Sequence, residues 1–128
     1  MKTNHNNFLN LAFNLAKINL GKTKSNPSVG CVVVKKDSVI SSGYTSIGGR
    51  PHAEFNALNK KINFEGSDLY VTMEPCTHYG LTPPCTDLII KKGIKRVFFS
   101  FNDVDKRTAK QSKSKLKRIK IKVFKKKK

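Results

Sequence analysis

Between Phe8 and Leu20 the apolar residues Phe8, Leu9, Leu11, Ala12, Leu15, Ala16 and Ile18 recur at helical spacing, and Gly21 follows as a natural C-cap. The period predicts an amphipathic helix laid on a sheet. A polar stretch with Asn26-Pro27 as turn signal follows. Val29-Gly30-Cys31-Val32-Val33-Val34 is then a β-branched run and predicts a buried strand. Lys36-Asp37 predicts a hairpin turn into a second strand, about Ser38 to Tyr44. Gly48-Gly49-Arg50-Pro51 reads as a loop that ends at a helix start. That helix is expected over about His52 to Lys60, with Pro51 at its first turn and Ala53, Phe55, Ala57 and Leu58 on its buried side.

Asp68 to Met73 predicts a third strand. Pro83-Pro84-Cys85 opens a helix through Lys91, stopped by Gly93, and Ile94 to Phe101 is a fourth strand. A short helix is expected from about Lys106 to Lys117. Ile119, Ile121 and Val123 alternate with Arg118, Lys120 and Lys122, a period of two that predicts a fifth strand with one charged face. This order of elements predicts an α/β fold, helices layered on a mixed sheet. The first two strands are expected antiparallel and the later ones parallel through right-handed crossovers.

At 128 residues the chain has room for one core. No run of about 18 apolar residues exists, so no membrane span is expected, and the start lacks the apolar block of a secretory signal. A cytoplasmic location follows as the expectation. The net charge of +18 invites a nucleic-acid reading, but its distribution weakens it. The segment from Lys110 to Lys128 holds 11 Lys/Arg and no acid, which leaves 15 bases against 8 acids over the first 109 residues. A solvated lysine-rich surface is the simpler reading, and nucleic acid is disfavoured as a partner.

The candidate chemistry lies between Pro51 and Cys85. An odd count of three cysteines argues for thiols and metal over disulfides. His52, Cys76 and Cys85 are one imidazole and two thiols, three ligands for a tetrahedral zinc that keeps a fourth position open for water. His52 and Cys85 both fall at predicted helix N-termini, whose positive ends favour thiolate. Glu54, two residues past His52, can reach such a water without being a ligand and is the candidate proton shuttle. Cys31 lies inside a strand run and is assigned to the core; Glu74 is assigned a structural role. Arg50, beside His52, is a candidate phosphate contact.

His-x-Glu followed by Pro-Cys and a second Cys resembles the zinc-dependent base deaminases. The match sharpens in Asn26-Pro27-Ser28-Val29-Gly30, in Gly49 through Glu54, and in Tyr70 through Cys85. There the chain resembles the diaminohydroxyphosphoribosylaminopyrimidine deaminases of bacterial riboflavin biosynthesis, over roughly residues 8 to 103. Eight residues separate Cys76 from Cys85, where cytidine, guanine and tRNA-adenosine deaminases typically have two.

The resemblance implies a three-layer α/β/α cytidine-deaminase-like fold around a five-stranded mixed sheet. It implies one Zn²⁺ per chain on His52, Cys76 and Cys85, Glu54 as shuttle, Asn26 hydrogen-bonded to the pyrimidine, and His78 lining the substrate pocket. The implied reaction is hydrolytic deamination of 2,5-diamino-6-ribosylamino-4(3H)-pyrimidinone 5′-phosphate, and a homo-oligomer is implied as well. The deaminase domain is expected over 1–124, with 125–128 a basic tail. The sequence has no Gly-rich nucleotide loop, so no reductase domain and no NADPH are expected. Asn102-Asp103-Val104-Asp105 departs from the family's Asp-Pro-Asn-Pro type segment. The competing readings are a nucleic-acid-binding or tRNA-base deaminase-like protein, and a noncatalytic partner of a separate reductase.

Overall fold

The computed structural model describes residues 5–77, 83–102, 111–117 and 120–126. Nine elements alternate along it: α1 (His5–Ala16), β1 (Gly30–Lys35), β2 (Ser38–Tyr44), α2 (Ala53–Leu58), β3 (Asp68–Met73), α3 (Cys85–Lys91), β4 (Arg96–Phe101), α4 (Ser112–Lys117) and β5 (Lys122–Lys125). The strands form one sheet in the order β2-β1-β3-β4-β5. β1 pairs antiparallel with both β2 and β3, while β3, β4 and β5 run parallel. The expected mixed sheet is therefore present, and β1 is the strand that joins its two halves.

Alternation along each strand divides the core into two. Val32, Val34, Tyr70 and Phe98 face α1, which contributes Leu9 and Ala12. Cys31, Val33, Leu69, Val71, Val97, Phe99 and Val123 face the other way, onto Ala57 and Leu58 of α2, Ile89 of α3 and Leu116 of α4. This gives the three layers. α1 approaches so closely that a Cβ at Gly30 would stand 1.8 Å from the Ala12 carbonyl oxygen. Lys36 and Asp37, at φ 51° and 60°, both adopt left-handed backbone, which makes the two-residue turn whose twist suits a hairpin.

Several boundaries differ from the sequence expectation. α1 starts at His5 and ends at Ala16, short of Leu20. Beyond it the chain winds through three-residue turns, Lys17 N to Asn14 O (3.3 Å) and Ile18 N to Leu15 O (3.1 Å). The Ser28 hydroxyl donates to the Ala16 carbonyl (2.5 Å), and the Asn19 side-chain amide donates to Thr45 O (2.9 Å). Ile18 and Leu20 keep the helical spacing but stand exposed. β5 begins at Lys122, later than expected, with Ile121 and Val123 buried as the alternation requires. Residues 103–110 and 118–119, which carry part of the expected last helix and strand, lie outside the described residues.

In α2 the buried positions are Ala53, Glu54, Ala57 and Leu58, one stripe of a 3.6-residue helix. Phe55 was expected on that stripe and instead is 41% exposed, while Glu54 is only 4% exposed. Pro51 lies just outside the helix, after a cis Arg50–Pro51 bond, and His52 is the N-cap. No helix among the described residues is long and apolar enough to cross a membrane.

Candidate metal centre

Three separate segments deliver the candidate ligands. His52 caps α2 in extended backbone (φ −70°, ψ 164°), Cys76 lies where the chain leaves β3, and Cys85 is the first residue of α3 behind the Pro84 cap. α2 is seated tightly: a Cβ at Gly43 would lie 2.6 Å from both Ala53 O and Ala57 N. The Ser41 hydroxyl donates to Ala57 O (2.6 Å), and the Asn56 amide donates to Tyr44 O (2.8 Å) and Ser46 Oγ (2.9 Å). These contacts fix the helix and with it His52. On the other side, Thr86 N donates to Cys76 O (3.2 Å) and Cys85 N to Cys76 Sγ (3.1 Å), so the turn after β3 and the start of α3 are tied together.

The donor atoms of His52, Cys76 and Cys85 all lie within 4.8 Å of one another. His52 Nδ1 stands 3.6 Å from Cys85 Sγ. Tetrahedral bonds of about 2.3 Å to sulfur and 2.0 Å to nitrogen would put such a pair about 3.5 Å apart, so the donor set fits zinc. The electrostatics fit as well. Hydrogen bonds from the Cys85 thiol and from His52 draw the Cys76 pKa down to about 4, against the opposing effect of burial. Cys85 is pushed up by that same Cys76 partner and by burial. The Cys76 hydrogen bond raises His52. Cys76 is thus the thiolate of the group, and a metal ion would replace the protons the trio shares.

Glu54 stands in the first turn of α2, buried, and its charge raises the pKa values of His52, Cys85 and Cys31. Cys31 is wholly buried in β1 and is not a member of the ligand group, in line with its assignment to the core. Glu74 is 3% exposed, and its N–H donates to Phe101 O (2.7 Å), which joins the exits of β3 and β4. The Asn26 amide donates to Gly49 O (3.0 Å), which ties the turn before β1 to the loop that carries Arg50 and His52. Gly49 has φ 95°, and a Cβ there would stand 2.8 Å from the Asn26 amide nitrogen. His78 lies outside the described residues.

Next to the ligands a cavity of about 450 Å³ opens between α2 and α3. Arg50 lines it, as do His52 and Cys85. The sequence reading missed Phe55, Leu88 and Lys91 on its wall. A signal existed for the first two, since each follows a ligand by three residues on a helix and so shares its side.

The model of the cytidine and deoxycytidylate deaminase zinc-binding region matches residues 2–101. The riboflavin biosynthesis protein RibD of Aquifex aeolicus is 53% identical over 92 residues, 71% of this chain and 26% of that protein. The diaminohydroxyphosphoribosylamino-pyrimidine deaminase of Buchnera aphidicola is 43% identical over 97 residues, 75% of this chain and 66% of that protein. The chain thus spans about a quarter of the RibD protein's length and about two thirds of the Buchnera deaminase. Among solved structures, the Thermotoga maritima diaminohydroxyphosphoribosylaminopyrimidine deaminase/5-amino-6-(5-phosphoribosylamino)uracil reductase superposes with a TM-score of 0.85 at 40% identity, over 93% of this chain and 35% of that one. The Aspergillus oryzae Rib2 deaminase in complex with DARIPP superposes at 0.78 with 22% identity, covering 97% of this chain and 84% of that one, a likeness of fold. With a match over most of its length and the donor set in place, the chain belongs to the cytidine and deoxycytidylate deaminase zinc-binding family.

Proposed function

We propose that this chain is a zinc-dependent hydrolase that removes the exocyclic amine of 2,5-diamino-6-ribosylamino-4(3H)-pyrimidinone 5′-phosphate and releases ammonia. The observation that carries the reading is the convergence of His52, Cys76 and Cys85 beside a buried carboxylate, Glu54. Its substrate comes from the named relatives, which are riboflavin-biosynthesis deaminases. Zinc on the three side chains supplies Lewis acidity that makes water a nucleophile near neutral pH.

Glu54 takes a proton from the attacking water and delivers it to the ring nitrogen. Water oxygen bonds to the amine-bearing carbon. Glu54 then takes the second proton from the hydroxyl now on that carbon and passes it to the departing nitrogen, the carbon–nitrogen bond breaks, and a carbonyl and ammonia result. Its burial keeps the shuttle from exchanging protons with bulk water. Asn26 spends one amide hydrogen on Gly49, and its oxygen and second hydrogen serve the pyrimidine edge. Arg50 contributes positive charge to the cavity for the phosphoribosyl arm, and His78 is the proposed further substrate contact. The active form is a homo-oligomer.

Purified protein loaded with zinc is expected to release ammonia from the phosphorylated diaminopyrimidine. Absence of release with zinc bound in a one-to-one ratio would sink the reading.

A further inference from the structure

The cavity between α2 and α3 is longer than the metal ligands alone require. It is lined from Cys85, the first residue of α3, to Lys91, the last. Six residues at 1.5 Å each put those two positions about 9 Å apart along the helix. The wall between them is apolar, from Phe55 and Leu88. Its charges are unequal. Arg50 and Lys91 bring two cations, and Asp87 brings one carboxylate. Asp87 stands one turn before Lys91, the spacing at which a helical acid neutralises a base. It accepts instead from Lys115 Nζ of α4, with Oδ1 at 2.6 Å. The Lys91 side chain makes no ion pair or hydrogen bond among the described residues.

We propose that Lys91 anchors the phosphate of the substrate, at the end of the cavity remote from the reacting ring. The proposal rests on the deaminase reading above, in which the ring carbon meets His52 and Cys85 while the sugar carries its 5′-phosphate away from them. A compact ammonium on a flexible stem suits a phosphate monoester as a point charge. The phosphate keeps its charge through the reaction, so the contact is equal in ground and transition states. It therefore acts on KM and leaves kcat alone. A lysine that only complements the C-terminal dipole of α3 would affect stability and discriminate between no substrates.

The test compares wild type, Lys91→Gln and Lys91→Arg as full-length, zinc-loaded proteins. Ammonia release is followed with the phosphorylated diaminopyrimidine and with its dephosphorylated riboside, and ribose 5-phosphate is titrated calorimetrically as the probe. Lys91→Gln is expected to raise KM for the phosphorylated substrate about tenfold, as loss of a charged hydrogen bond does. Its KM for the riboside should not move, and ribose 5-phosphate should bind about tenfold more weakly, with Lys91→Arg close to wild type on both counts. Equal effects on both substrates, unchanged KM values, or wild type that fails to bind ribose 5-phosphate would each overturn the proposal. If wild type releases no ammonia while ribose 5-phosphate binding still depends on Lys91, the phosphate anchor stands and the reaction assigned above falls.

Discussion

Glu54 is 4% exposed on the sheet-facing stripe of a short helix, an uncommon place for a carboxylate. As the proposed proton shuttle, it is expected to be irreplaceable by its isostere. Glu54→Gln should cut kcat by at least about 10²-fold while zinc content by elemental analysis stays at one per chain. Cys85→Ser should instead lose the zinc itself, read as a dissociation constant raised by competition with a chelator. The convergence of His52, Cys76 and Cys85 was legible in the sequence because metal chemistry admits few donors and their spacing is distinctive. The burial of Glu54 was not, because hydrophobicity ranked Phe55 above it for the inner face.

A second residue-scale expectation concerns His5. It is stacked on Phe98 at 4.4 Å and hydrogen-bonded to the Tyr70 hydroxyl, whose own pKa burial pushes up to about 12. Burial lowers the His5 pKa, and Arg96 and Lys126 add to the effect against the weaker pull of Asp68 and Asp37. The unfolded chain therefore takes up this proton more readily than the folded one. The stability concerned is present above the unfolded pKa of about 6.5 and is lost as pH falls through the depressed folded value. Urea midpoints should drop between pH 7.5 and 5.5, and His5→Phe should flatten that part of the dependence.

At the scale of elements, the position of α2 decides whether His52 meets the thiols. Gly43 on β2 lets the helix backbone descend to a distance no side chain permits. Gly43→Ala is expected to cost about 1–3 kcal/mol in chemical denaturation and to weaken zinc binding, because the displaced helix carries its cap with it. The same substitution at Gly21 or Gly66, whose Cβ positions are open, should leave zinc affinity unchanged. Strand positions were read well from β-branched runs such as Val32-Val33-Val34, since burial on both faces leaves a continuous apolar pattern. Helix ends were read less well. α1 stops at Ala16, where Ser28, distant in sequence, claims the carbonyl that local periodicity would assign to a further turn.

At the scale of the molecule, His52, Cys76 and Cys85 bring together the start of one helix, a strand exit and the start of a second helix, with no disulfide among the described residues to hold them. A zinc ion there would bind the folded chain in preference to the unfolded one, in which the three donors are apart. Zinc at 100 times its dissociation constant would stabilise by about 2.7 kcal/mol. Chelation is then expected to lower Tm by roughly 10 °C for a domain of this size, measured by calorimetry with and without EDTA. The mixed topology followed from the order of elements. The antiparallel joint between β1 and β3 did not, since strand order is settled by which faces must be covered and leaves no local mark.

The rim of that sheet gives part of the lysine surplus a use unconnected with recognition. β5 ends the sheet, and Lys122 and Lys125 stand exposed along it. A second molecule zipping onto this open ladder would have to press ammonium groups against ammonium groups. Crowded copies of the protein should thus repel where their backbones are most adhesive, and neutralising Lys122 and Lys125 should shorten the time to turbidity in a concentrated stock.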